Sequence, residues 1–441
     1  MSVTFSGSVS RGLGMRPVVL DVTRTVMRAA IVRPTGIDRV ERAYLDWAVN
    51  RPGGAWLAAR LGGEGGSGRG SFGSRLHLCP PIASKALAAA LSSDAAGMLD
   101  FRGRLTAWRA LETRQAEAAV RRASTVSAPL SGPGLVRRLR EAFPSGGYWL
   151  NAGHENLSAP LLAAFEAVGL ASVVLLHDLI PITHPEFARA EAAQRFRVRL
   201  DAALRARRLI YNSLATERGV AAYAASQDRV PPRGVVLPLG VAPPPSPDAS
   251  ACPPEVARGA GRFVQLGTIE GRKNHILTLM LWRGLSEGVE PERAPHLHIV
   301  GRRGWSAEQA FAMLDRGEIA GRTVFEHNDL SDGAVSALMS GARALLFPSF
   351  AEGYGLPLGE ALAAGVPVIA ADLPALRELG GDVPEWIAPQ DGPGWLKAVR
   401  DYAQPGSPRR NAQLARLTEW KRPEWPDHFE GVEAVLADLP R

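Results

Sequence analysis

Two glutamates with seven residues between them flank a glycine-rich loop in ALLFPSFAEGYGLPLGEALAAGVPVIAAD, residues 344–372. Glu352 opens the loop and Glu360 follows it. The apolar run before the loop reads as a strand ending at Pro348, and the pattern after it as a helix starting near Leu358. Gly353 and Gly355 let backbone amides approach a ligand with no Cβ in the way. The helix start supplies unpaired N–H groups and a positive dipole end, which suit a phosphate. A carboxylate accepts hydrogen bonds from two neighbouring hydroxyls at once, and a sugar or ribose ring presents such a pair. The plainer alternative is a turn with Glu360 serving the helix dipole.

A second segment, QLGTIEGRKNH (residues 265–275), ends a strand at Gly267 and sets Arg272 and Lys273 before a new helix. Two adjacent cations at a strand's carboxyl end suit a diphosphate where no metal takes part; a solvated pair is the alternative. LLHDLIPITHPEF (residues 175–187) places His177 and Asp178 at the end of a buried strand, where a histidine can carry protons, ligate a metal or bind hydroxyls. His184 lies seven residues further on and no third ligand accompanies it, which argues against a metal. NAGHENL (residues 151–157) offers His154 and Glu155 in a weaker, similar setting. No Asp-x-Asp triplet occurs, so no metal is expected at the diphosphate.

Positioning these groups takes a large fold. The 441 residues fit two domains of roughly 200 residues each. Hydrophobic residues at 46% and charged ones at 22% exclude a mostly disordered chain. No apolar run approaches the ~20 residues of a membrane-spanning helix, the start of the chain lacks a secretion signal, and Cys79 and Cys252 show no disulfide or zinc spacing. A cytoplasmic location, at the inner face of the membrane, is expected. Apolar runs at 16–23, 146–153, 171–181 and 207–213 alternate with helical patterns, and so do runs at 262–268, 296–301, 323–328, 344–349 and 367–372. That alternation predicts two parallel, doubly wound α/β sheets with ligands at the strands' carboxyl ends. The expected division is an N-terminal, acceptor-binding Rossmann-like domain over 1–240, with 51–145 as an irregular or helical insertion. A proline-rich linker over 241–255 leads to a nucleotide-sugar-binding domain over 256–415 and a helix over 416–441 that packs back on the first domain. Within the insertion, 62–75 reads as flexible and 99–140 as exposed helices.

Charge is uneven: residues 1–240 carry a net +13 and residues 241–441 a net −6. An anionic membrane surface or a phosphorylated acceptor matches the basic half, while an arginine-rich genome explains it without a partner. No nucleic-acid-binding motif accompanies the arginines.

The motifs G-T-x-E-x-R-K-N (267–274) and P-S-x-x-E-G-Y-G-L-P-x-x-E-A-x-x-x-G-x-P-V (348–368) resemble those of the retaining glycosyltransferases of family 4, the group 1 glycosyl transferases, which have the GT-B fold of two Rossmann-like domains facing a central cleft. The likeness covers about residues 263–382, with weaker support from T-G-I-D-R-V (35–40) and H-D-L-I-P (177–181). It implies that Glu360 binds the nucleotide ribose, that Glu352 lies near the donor sugar hydroxyls, and that Arg272 and Lys273 hold the diphosphate. Gly353, Tyr354, Gly355 and Leu356 would surround sugar and phosphate, Gly267 and Thr268 would join the donor site, and Gly36 would lie near the phosphates. His177 would approach sugar or acceptor, with Asp178, His154 and Glu155 on the acceptor side; His327 to Leu330 would lie by the nucleobase. One departure is Gly359, where relatives often carry a bulkier residue.

The activity so implied is retaining transfer of a sugar, of mannosyl type, from a nucleoside diphosphate sugar to a saccharide or lipid-linked acceptor in surface polysaccharide or glycolipid assembly. No cofactor beyond that co-substrate is expected. A GT-B sugar-nucleotide epimerase or phosphorylase is the alternative, and a non-catalytic sugar-nucleotide-binding or scaffold protein the alternative of another class.

Overall fold

The computed structural model describes residues 16–29, 35–62, 74–92, 105–189, 191–254 and 261–440. Most of the glycine-rich stretch over 62–75, the start of the helical stretch over 99–140, and residue 255 of the linker lie outside them.

The first sheet has eight strands: β1 (Val18–Asp21), β2 (Trp56–Leu61), β3 (Arg75–Cys79), β4 (Val126–Pro129), β5 (Gly147–Asn151), β6 (Leu170–Leu176), β7 (Arg208–Tyr211) and β8 (Gly234–Val236). Their order is β4-β3-β2-β1-β5-β6-β7-β8. All four residues of β1 are buried, as suits a strand covered on both faces. The sheet is mixed rather than purely parallel, because β3 pairs antiparallel with both β2 and β4. The expectation of an irregular or helical insertion over 51–145 is corrected here: the stretch supplies three strands along with the helices Pro81–Ser92, Leu105–Ala123 and Pro133–Ala142. The strands are short, and an alanine-rich run such as WLAARL owes its strand state to pairing with neighbours rather than to local preference. Nor are the helices wholly exposed, since Val120, Leu135 and Leu139 are buried.

The second sheet contains β9 (Arg262–Leu266), β10 (His296–Val300), β11 (Val324–His327), β12 (Ala342–Phe347), β13 (Val368–Ala371) and β14 (Glu385–Ile387), in the order β11-β10-β9-β12-β13-β14. Every pairing is parallel. Phe263, Trp282, Leu297, Leu346, Ile369 and Trp395 are fully buried in its core. The order puts β12 directly beside β9, although some eighty residues separate them in sequence.

The chain forms two compact units, residues 1–175 with 201–209 and 438–441, and residues 176–200 with 210–437. This division does not follow the expected boundary at 240. Residues 176–200 and 210–240 join the second unit through contacts such as the Ser213 hydroxyl on the Gly353 carbonyl (2.9 Å) and the Glu378 carboxylate on the amides of Leu214 and Ala215 (2.6 and 2.8 Å). The helix Trp425–Ala437 packs on the segment before the linker through the His428 ring, which bonds the Pro238 carbonyl at 3.0 Å; ahead of the helix, the Pro423 carbonyl accepts from the amide of Val241, the linker's first residue. Beyond it, Asp438 pairs with Arg208, and the Pro440 carbonyl accepts from Arg16.

Candidate active site

The carboxyl end of β9 starts the site. Gly267 has φ +128°, a conformation side chains rarely adopt, and a Cβ on Gly301 would run into its carbonyl. A short 3-10 turn, Gly271–Lys273, carries the two cations. Gln265 donates to the Lys273 carbonyl at 2.9 Å, and the left-handed Asn274 donates to the carbonyls of Pro348 and Pro389. The Arg-Lys-Asn stretch is thereby tied to the end of β12, where Glu352 stands.

Glu352 is the hub of a buried ion cluster. Its Oε1 lies 2.6 Å from Lys273 Nζ and 2.9 Å from Arg272 NH1, while Arg272 NH2 is 2.7 Å from Oε1 of Glu270. Arg272 also donates to the Ala351 carbonyl, and Lys273 Nζ sits 4.6 Å from the centre of the Phe347 ring. Burial alone would raise the Glu352 pKa, but Arg272 and Lys273 reverse the sign and hold it at about 2. For Arg272, burial works against the charge, and Glu352, Glu270 and Asp178 more than offset it. Lys273 moves the other way: burial and the like charge of Arg272 lower its pKa despite Glu352. The cluster therefore balances its charge internally. Glu270 was absent from the sequence-derived site, although it lies two residues before Arg272 within the same motif.

The His177–Asp178 loop adjoins this cluster. Burial raises the Asp178 pKa, with Arg272 opposing and Glu352 and Glu270 adding to the rise. One Asp178 oxygen accepts from the Ile180 amide at 3.0 Å. The His177 carbonyl accepts from Asn212 and Thr216, and Gly353 packs so tightly on that carbonyl and on Asp178 that a Cβ there would clash with both. Further along, Phe187 lies parallel to Phe350 (centroids 5.5 Å, planes 9° apart), and Trp305 donates to the Phe187 carbonyl at 2.8 Å. His177, Asp178, Arg272, Lys273, Glu352 and Gly353 thus come together, and all belong to the second unit.

Gly355, at φ +95°, caps the helix Leu356–Ala363, which starts two residues earlier than its apolar pattern suggests. Glu360 is half-buried on this helix. Gly359 has a packing reason, since a Cβ there would press on Val241 and Leu379. Tyr354 is buried and its hydroxyl donates to the Leu239 carbonyl at 2.6 Å, which makes its side chain part of the packing. Thr268 follows Gly267, and a Cβ on Gly304 would strike its methyl group. His327 ends β11 and Leu330 follows in a buried position.

The remaining candidates lie in the first unit. Gly36 is the first residue of the helix Gly36–Asn50, behind a capping box of Thr35 and Asp38. His154 has φ +61° and bonds the Leu175 carbonyl through Nε2 at 2.8 Å; the Glu155 carbonyl accepts from Asn151. Beside them lies a polar cluster that sequence reasoning missed. Asp21 accepts from Asn156 (2.7 Å) and the Thr23 amide (3.0 Å), and Glu41 accepts from Thr25 while pressing on Gly153. Asp38 pairs with Arg24 and Arg28. Burial lifts Asp21 to about 6 and Glu41 well above the carboxylate range. The one available signal was Asp21 at the end of the first apolar run. Among the described residues no group of three or more His, Cys, Asp or Glu side chains is arranged to hold a metal, and no helix is long and apolar enough to cross a membrane.

Residues 261–404 match the family described as Glycosyl transferases group 1. The serotype-specific mannosyltransferase WbdA of Escherichia coli is 29% identical over 291 residues, 62% of this chain and 34% of that protein. The O-antigen chain mannosyltransferase B of the same organism is 30% identical over 165 residues, 37% of this chain and 42% of its own. The chain therefore spans about a third to two fifths of the length of these curated relatives. Among solved structures, the N-terminal domain of Candida albicans trehalose-6-phosphate phosphatase superposes with a TM-score of 0.58 at 13% identity, over 98% of this chain and 99% of the other. At that identity the likeness concerns the fold alone. Two Rossmann-like domains and the group 1 match make the fold GT-B, and residues 261–404 carry its glycosyltransferase signature.

Proposed function

We propose that this chain is a retaining, metal-independent glycosyltransferase of family 4 that moves a sugar, mannose in the first instance, from a nucleoside diphosphate sugar to a saccharide or lipid-linked acceptor in surface polysaccharide assembly. The observation that carries the reading is the Arg272–Lys273–Glu352–Glu270 cluster at the joined ends of β9 and β12, within the stretch that matches the glycosyltransferase family. A departing diphosphate needs fixed positive charge, and Arg272 and Lys273 supply it without a metal. Since both cations rest on Glu352, an arriving diphosphate takes them over and frees the carboxylate to accept hydrogen bonds from donor-sugar hydroxyls. Glu360, on the helix that follows β12, serves the ribose, and residues 327–330, at the carboxyl end of β11 where ligands of such sheets bind, serve the base.

The mannosyl and polysaccharide assignments draw on what the two relatives are named for. Contact with an anionic membrane at the cytoplasmic face draws on the helix Pro133–Ala142, which turns Leu135 and Leu139 inward and leaves Arg137, Arg138 and Arg140 exposed. Full-length protein with a panel of GDP-, UDP-, ADP- and dTDP-sugars and short mannosides is the test. The reading expects transfer with retained anomeric configuration that persists in excess EDTA. Inverted product, or turnover abolished by EDTA and restored by Mn²⁺, overturns the roles of Arg272 and Lys273; absence of transfer from every donor overturns the activity.

A further inference from the structure

A histidine in the middle of β10 and one at the carboxyl end of β11 form a directional pair. His298 of β10 and His327 of β11 stand on neighbouring parallel strands, with His298 opposite Phe325 and Val300 opposite His327. His298 Nδ1 lies 3.0 Å from His327 Nε2, and the ring planes differ by 10° with centroids 5.3 Å apart. Nearly coplanar rings at that separation meet edge to edge, the geometry of an N–H···N hydrogen bond. His298 is fully buried, and its Nε2 has no hydrogen-bond partner among the described residues.

That unpaired atom fixes the direction of the bond. A neutral imidazole has one N–H and one bare nitrogen. If His327 donated, His298 would accept at Nδ1 and carry its hydrogen on Nε2, a buried N–H with nothing to bond. If His298 donates from Nδ1, only a bare nitrogen stays unpaired, and orphaned buried N–H groups are the rarer and costlier defect. His298 is also held neutral: burial, then His327, His296 and Arg262, lower its pKa to about 3. His327 must therefore accept at Nε2 and carry its hydrogen on Nδ1, the ring nitrogen directed away from His298.

His327 occupies the ligand-binding edge of the sheet. Its carbonyl accepts from the Gly301 amide (2.9 Å), and the neighbouring Val300 carbonyl accepts from Gly267, which leads to Arg272 and Lys273. We propose that His298 is a positioning residue for nucleobase choice: by donating to Nε2 of His327 it locks that ring as an Nδ1–H donor at the base end of the site, without touching the ligand itself. This rests on the reading of residues 327–330 as the nucleobase end of a nucleotide-sugar site.

The test has two independent parts on the full chain. ¹⁵N NMR of the ligand-free protein at neutral pH reads the tautomers directly: Nδ1–H on both rings is expected, and Nε2–H on His327 overturns the pair. Calorimetry with GDP, UDP, ADP and CDP then compares the wild type with His298→Leu and His298→Asn. The Asn amide reproduces the Nδ1–H donor. His298→Leu should change the ratio of affinities between the preferred base and the others by about fivefold, as for one hydrogen bond, and His298→Asn should restore it. A lower melting temperature with unchanged ratios would mean a structural role only and would sink the proposal. Failure of every nucleotide to bind the wild type would overturn the donor reading, and the positioning role with it, while leaving the tautomer result standing.

Discussion

Each unit buries a cluster of charge near strand ends, and the carboxyl groups at the centre of each, Glu352 in one and Asp21 with Glu41 in the other, move in opposite directions. In the second unit Glu352 meets Lys273 and Arg272 within 3 Å and its pKa falls to about 2. In the first, Asp21 is held by Asn156 and the Thr23 amide, which carry no charge, and its pKa rises to about 6; Glu41 rises further. Burial raises all three, and the difference lies in the partners: two cations bond Glu352 directly, whereas the charge of Arg24 acts on Glu41 without a bond and is opposed by Asp21 and Asp38. Cations nearby turn buried acid into fixed charge, whereas neutral donors leave it able to keep a proton. Fixed charge suits a site that must hold or release a diphosphate; a proton-holding cluster suits a scaffold that avoids net charge in its interior.

The sharpest way to break this contrast is to remove the hub. Glu352→Gln leaves Lys273 buried without its carboxylate and should cost about 3–5 kcal/mol of stability, read by denaturant unfolding. A cost below 1 kcal/mol would mean that the cluster is not an interdependent ion network. The wild type adds a pH signature: because the folded pKa of Glu352 lies below its unfolded value, its contribution is complete above about pH 4.5 and is lost as pH falls toward about 2.

Lys273→Ala comes next. Charge on the leaving group peaks in the transition state, so kcat should drop about 100-fold or more while the protein stays folded. Comparable losses in kcat and in folded fraction would reduce Lys273 to a structural partner of Glu352.

On the opposite side of the comparison, Glu41→Gln should stabilise. A raised acid costs nothing below its unfolded pKa, and its penalty grows as pH climbs toward the folded value. The variant should therefore match wild type near pH 4 and be the more stable of the two at pH 8, as denaturant unfolding at both pH values would read. An equal effect at both pH values would show that the carboxyl does not hold its proton. The smallest effect belongs to Tyr354→Phe, which loses one hydrogen bond to Leu239. It should cost about 1 kcal/mol of stability and leave the KM for donor unchanged; a raised KM would return Tyr354 to the donor site.

The motifs around Arg272 and Glu352 could be read from sequence because a chemistry-bearing loop keeps its residue types and spacing within a dozen positions. Gly353 and Gly355 stand out in sequence as points of close approach to a ligand, and the structure gives them a different reason: Gly353 packs on the His177 carbonyl and Asp178, and Gly355 has a positive φ. Less legible were β2 to β4, short strands whose state depends on neighbours far along the chain. Glu270 was hidden in plain view, since nothing local distinguishes it from a solvated loop acid.

The sequence by itself determined the alternation of strand and helix, the second, parallel sheet and the identity of the cations and acids, because periodicity and turn chemistry are local properties. Only the tertiary structure decided which of them meet. Lys273 and Glu352 are 79 residues apart, and they touch because the strand order sets β9 against β12. The same holds for the direction of the shifts: Glu352, Glu41 and Asp21 are equally acidic side chains in sequence, and what separates them is the charge of the atoms packed within hydrogen-bonding distance. Such contacts arise from long-range pairing, where burial enlarges every electrostatic difference, and no residue pattern along the chain records them.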